Sequence, residues 1–85
     1  MELSPAHYGL HSRTQLKQLG TNHLGIVRMV KSRIIRKDAN KIIEMAEKIL
    51  AINPLLQISL VCTSNICSKS VELLKHKQIE IKIEE

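Results

Sequence analysis

The chain contains no tryptophan and no phenylalanine, and its only aromatic residue is Tyr8. A core built without aromatic rings has to be aliphatic, here mainly isoleucine and leucine. The same scarcity excludes a base-stacking platform for nucleic acid beyond Tyr8. Long apolar runs are also missing, with stretches such as "LGIV" among the longest. A bilayer-spanning helix needs about 20 apolar residues, so no membrane span is expected. The opening "MELSPAHYGLHSR" lacks the apolar centre of a signal peptide. Two cysteines without a secretory signal point to a reducing, cytoplasmic setting. All three glycines fall within residues 9–25, which excludes a Walker-type or dinucleotide-binding glycine loop elsewhere. There is no internal repeat or low-complexity linker.

What is present is a chain of 85 residues, 44% of them apolar. That length favours one domain with a modest core, and that apolar content is too high for a disordered chain. The net charge of +5 is unevenly placed. Residues 1–37 carry seven Lys/Arg and only Glu2 as an acid, whereas residues 38–85 carry six Lys and seven acids. The densest part, "RMVKSRIIRK", holds Arg28, Lys31, Arg33, Arg36 and Lys37 with no acid among them. Such asymmetry points to an anionic partner.

Residues 1–23 are the least regular and read as an N-terminal segment with one short helix, from Arg13 to Leu19. Ser12 is its N-cap, Gly20 its stop, and Leu16 and Leu19 its apolar edge. Residues 24–85 read as a single α/β domain. "HLGIVRMVKSRII" predicts a strand, apolar on both parities and therefore covered on both faces at the centre of a sheet. In "DANKIIEMAEKILAINP", Ala39, Ile42, Ile43, Ala46, Ile49 and Leu50 follow one helical face, with Asp38 as N-cap and Asn53–Pro54 as the stop. "LLQISLVCT" predicts a second strand and "NICSKSVELLKHK" a second helix with Cys67, Val71 and Leu74 on one face. "QIEIKIEE" alternates Ile79, Ile81 and Ile83 with Glu80, Lys82 and Glu84, the mark of an edge strand with one wet face. The expected fold is α/β: a small, mainly parallel, three-stranded sheet, β-α-β-α-β, in spatial order 2-1-3. Its helices should cover opposite faces, behind a weak N-terminal helix. So small a sheet leaves an edge through which two copies could pair as a homodimer.

In such folds, sites form outside the carboxyl ends of the strands. Two segments go there, "SRIIRKD" and "CTSNICS", and each leads into a helix N-terminus whose free N–H groups favour anions. The stretch "LVCTSNICSKS" resembles the phosphate loop of low-molecular-weight tyrosine phosphatases, where a strand ends in Val-Cys and Ile-Cys-Arg-Ser opens the helix. The resemblance implies Cys62 as a thiolate nucleophile and the loop of Thr63, Ser64, Asn65, Cys67, Ser68 and Lys69 as a phosphate cradle. Ser68 stands where that family has its phosphate-gripping arginine, and lysine at Lys69 does not reproduce the planar fork. The family's Asp-Pro general acid is absent. The IIB components of sugar phosphotransferase systems offer a related resemblance, a phosphocysteine carrier that needs no arginine. "GLHSR" at Gly9–Arg13 resembles the histidine phosphocarrier proteins and implies His11 as phosphoryl acceptor, with Thr14 where that family has proline.

Cys62 with Cys67, and His7 with His11 and His23, are zinc-ligand types. Pro5 and Gly9 disturb the geometry that would align those histidines, and no metal or cofactor is expected. The reading is therefore a small basic cytoplasmic binding domain rather than an enzyme. Its expected partner is nucleic acid or another polyanion, held through phosphate contacts by Arg28, Lys31, Arg33, Arg36 and Lys37, with Arg13 and Lys17 assisting. The alternative is a phosphoryl-handling protein that uses Cys62 and loop 62–68.

Overall fold

In the computed structural model, which describes residues 2–84, four strands form one sheet whose spatial order is the chain order. Strand β1 (Gln15–Gly20) runs antiparallel to β2 (His23–Arg28). Strands β3 (Gln57–Cys62) and β4 (Glu80–Ile83) continue parallel to β2. Helix α1 (Arg36–Ile52) connects β2 to β3, and α2 (Ser68–His76) connects β3 to β4.

This corrects the expected three-stranded sheet of order 2-1-3. Both crossovers step the same way along the sheet, so their common handedness puts both helices on one face. The helices touch each other and share a single core with Leu24, Ile26, Ile58 and Leu60. The parity of β2 misled because Met29 and Val30, which extend the apolar run, lie beyond the strand's end at Arg28. On the face away from the helices, β2 presents His23, Gly25 and Val27.

The expected helix over Arg13–Leu19 is also corrected, since most of it is β1. A helix of two turns is marginal without a surface to pack on. The open edge of β2 offers the same residues a hydrogen-bonded ladder instead. The turn between them places Asn22 at φ 56°, a left-handed value that asparagine tolerates. Leu16 and Leu19, three apart, fall on opposite sides of the sheet. The register slips between Gln18 and Gly20, and Leu19 packs over Gly25 beside Val61. Tyr8, at the end of a 3₁₀ turn (Pro5–Tyr8), and Leu10 are buried in the same core as α1.

Helix α1 buries the predicted stripe of Ala39, Ile42, Ile43, Ala46 and Ile49. Each fully buried aliphatic side chain such as Ile42 contributes about 1.5–3 kcal/mol. The helix begins three residues earlier than expected, with Ile35 rather than Asp38 at the N-cap position. Asp38 is therefore not the N-cap; it sits in the first turn, and its carboxylate accepts the Ile35 N–H at 3.1 Å. Helix α2 starts after Cys67 and ends in a left-handed residue, Gln78 at φ 62°. In β4, Glu80 and Lys82 are exposed as the alternation predicts, Ile79 before it is buried and Ile81 half-buried, but Ile83 at its end is exposed; the strand lies at the sheet's outer edge. Among the described residues no helix is long and apolar enough to cross a membrane.

Candidate functional site

The loops after β2 and β3 meet at the carboxyl edge of the parallel strands. Ile34, fully buried, is the anchor. Its N–H donates to Asn65 O at 3.0 Å, and its carbonyl accepts from Cys67 N–H at 3.0 Å, so that Ile34 and Ile66 form a short parallel bridge. Asn65 Nδ2 donates to Lys31 O at 3.1 Å, and Ser70 Oγ to Ile34 O at 3.4 Å. An apolar residue inside a basic run thus pins the backbone, while Lys31, Arg33, Arg36 and Lys37 around it stay exposed.

These four cations have no carboxylate within ion-pair distance among the described residues, where the ion pairs are Lys17–Glu84 and Arg28–Asp38. Arg36 and Lys37 occupy the first two positions of α1, and Lys69 the second position of α2. The helix dipole disfavours cations there and favours anions. Five basic residues therefore sit at a joined pair of helix N-termini, with Asp38 as the acid in the first turn of α1 and none in that of α2. From sequence, Lys69 falls in the expected phosphate loop rather than with the basic segment. The missed signal is that Lys69 repeats, at α2, the position of Lys37 in α1.

The other predicted contacts are dispersed. Arg28 is half-buried, 3.6 Å from Asp38, and its Nε is buried without a partner among the described residues. Arg13 is exposed and shares with Arg28 a groove beside α1. Lys17 lies on β1 and pairs at 3.1 Å with Glu84 just past β4, so its charge is already matched by a carboxylate.

The cysteine loop is organised around itself. Cys62 is fully buried on the face of Ile58 and Leu60, and burial pushes its thiol pKa up. Asn65 N–H donates to Thr63 Oγ1 at 3.3 Å, Ile66 N–H to Ser64 O at 2.9 Å, and Cys67 N–H to Ile34 O. Those donors are used within the protein, whereas a phosphate cradle needs them converging outward. Cys67 caps α2: its Sγ accepts the Ser70 N–H at 3.4 Å and lies 2.9 Å from Ser70 Oγ. Those bonds, with help from the Arg33 charge, hold the Cys67 thiol below its ordinary pKa.

His11 is exposed, and its Nδ1 accepts the Arg13 N–H at 3.1 Å. His7 stands edge-on to Tyr8, and His23 Nε2 lies 2.6 Å from Ser59 Oγ. Among the described residues no three of His, Cys, Asp and Glu come close enough together to hold a metal ion. Comparisons with protein-family models, with curated proteins and with solved structures give no match for this chain.

Proposed function

We propose that the chain is a binding domain for an anionic partner, with nucleic acid the first candidate, held by phosphate contacts at the carboxyl edge of the sheet. The observation that carries this reading is the set of five exposed cations, Lys31, Arg33, Arg36, Lys37 and Lys69, unpaired among the described residues, on two helix N-termini joined through Ile34. Unpaired cations beside a positive dipole end repel one another, and a phosphodiester backbone relieves that repulsion while releasing its own counterions. With Tyr8 buried, the surface offers no phenylalanine, tyrosine or tryptophan ring for bases, so recognition rests on charge and shape. The phosphoryl-handling alternative draws less support, because Cys62 is buried and the loop donors are internally bonded.

The test is binding of a fluorescently labelled DNA or RNA duplex at low salt by the parent chain and by the variant Arg33→Gln/Arg36→Gln/Lys37→Gln. The reading expects saturable binding by the parent and clear weakening in the variant. Absence of binding by the parent refutes it.

A further inference from the structure

We infer that the groove between the N-terminal segment, the end of β2 and α1 is a separate site for a small organic anion with an apolar body, such as an alkyl phosphate or an aliphatic carboxylate. The groove encloses about 530 Å³. Small-molecule sites commonly span about 300–1,000 Å³.

Its walls are cationic. Arg13, Arg28, Lys41 and Lys48 line it against one carboxylate, Glu44. Lys41 and Lys48 stand three and four residues from Glu44 on α1, a spacing that permits ion pairs, yet neither is paired with it among the described residues. Arg28 is incompletely satisfied. Its contact with Asp38, at 3.6 Å, is long for a charge-assisted bond, and its buried Nε has no acceptor among the described residues. Arg28 lines the groove, and an anion there would complete the pairing of its guanidinium that the long Asp38 contact leaves weak.

Its floor is apolar. Leu10 and Ile26 are buried beneath it, and the half-buried Met45 adds a flexible, polarizable side chain that adapts to different shapes. An inorganic ion would leave this floor unused. A neutral apolar molecule would leave the cations uncompensated. A ligand with both parts answers both features.

The inference goes beyond the proposed nucleic-acid reading and does not need it. Lys41 and Lys48 line the groove and lie outside the carboxyl-edge patch, whereas Arg33 and Arg36 belong to the patch and do not line the groove. The two can therefore be tested apart.

The experiment is a two-dimensional ¹H–¹⁵N titration of the full chain with octyl phosphate, octanoate, octyltrimethylammonium and inorganic phosphate, each below its aggregation concentration. Octyl phosphate, octanoate or both should shift resonances of Leu10, Arg13, Met45 and their neighbours saturably. Binding should be at least about tenfold tighter than for inorganic phosphate. The two anionic probes distinguish a phosphate from a carboxylate head. Lys41→Gln/Lys48→Gln, at two exposed positions, should weaken the tighter probe about tenfold, the effect of one lost charge-assisted contact. Arg33→Gln/Arg36→Gln/Lys37→Gln should leave it unchanged. Equal response to the ammonium probe, affinity no better than inorganic phosphate, or indifference to the lysine substitutions would overturn the inference.

Discussion

Cys62 and Cys67 lie five residues apart and have opposite chemistry. Cys62 falls in phase with Ile58 and Leu60 on the core side of β3, and that phase can be read from the strand's own alternation. The role of Cys67 was not legible, because cysteine is not among the usual capping residues and its sequence position suggested the helix's apolar face. The pKa directions follow from the surroundings: burial raises Cys62, while hydrogen bonds from Ser70 and the charge of Arg33 lower Cys67. Alkylation against pH should therefore show Cys67, read in a Cys62→Ala chain, reacting with a midpoint below the ordinary thiol value of about 8.5. Cys62, read in a Cys67→Ala chain, should label slowly at neutral pH. Its raised pKa also fixes a sign for stability. The thiol's contribution is complete below the ordinary value and is lost as pH rises above it, so the Cys67→Ala chain should melt at lower temperature above about pH 8.5. Fast labelling of Cys62 at neutral pH, suppressed by phosphate, would instead favour the phosphoryl-handling alternative.

Gly25 belongs to the same scale. A Cβ there would stand 2.9 Å from Leu19 Cδ1 and 3.1 Å from Val61 Cγ2. Leu19 is half-buried and can move, but Val61 is fully buried. Gly25→Ala should destabilise by about 1–3 kcal/mol, the usual cost of overpacking, and adding Leu19→Ala should restore part of the loss. Denaturant midpoints of the single and double variants check this, and full stability of Gly25→Ala would contradict the close packing of β1 on β2.

At the scale of elements, what the sequence made legible depended on how much of the evidence was local. The stripe of α1 and the alternation of β4 are properties of a few consecutive residues, and both were readable. β1 was not, because "QLKQLG" supports either a short helix or a strand, and the partner edge of β2 decides. The end of α2 was hidden for another reason. Gln78 N–H donates to Lys75 O and Ile79 N–H to Leu74 O, each at 2.9 Å, which is the paired ending that usually has glycine at the left-handed position. Leu74 and Ile79, both buried, supply the apolar contact that accompanies it. Glutamine at φ 62° carries a steric cost that glycine avoids. Gln78→Gly should therefore raise stability by about 1 kcal/mol, seen as a higher denaturant midpoint at unchanged slope. A lower midpoint would show that the left-handed turn does not persist in solution.

For the whole molecule, the element types from β2 onward were legible but their spatial order was not. Nothing local in β2 states whether the next crossover passes to its left or right. The false cue of two covered faces led to order 2-1-3, where the chain instead places β1 through β4 in succession. The basic segment was visible as a charge run, but its geometry was not. The Ile34–Ile66 bridge, which brings Lys69 to the same edge as Arg33 and Lys37, depends on residues 32 apart. Lys17, equally basic, is paired with Glu84. If this edge binds phosphates, the salt dependence of duplex binding will report it. Each phosphate contact contributes about 0.9 to the slope of log affinity against log salt. Replacing Arg33, Arg36 and Lys37 with Gln should flatten the parent's slope by up to about three units. Lys17→Gln, by contrast, should leave the slope nearly unchanged. A triple variant with the parent's slope would contradict the account.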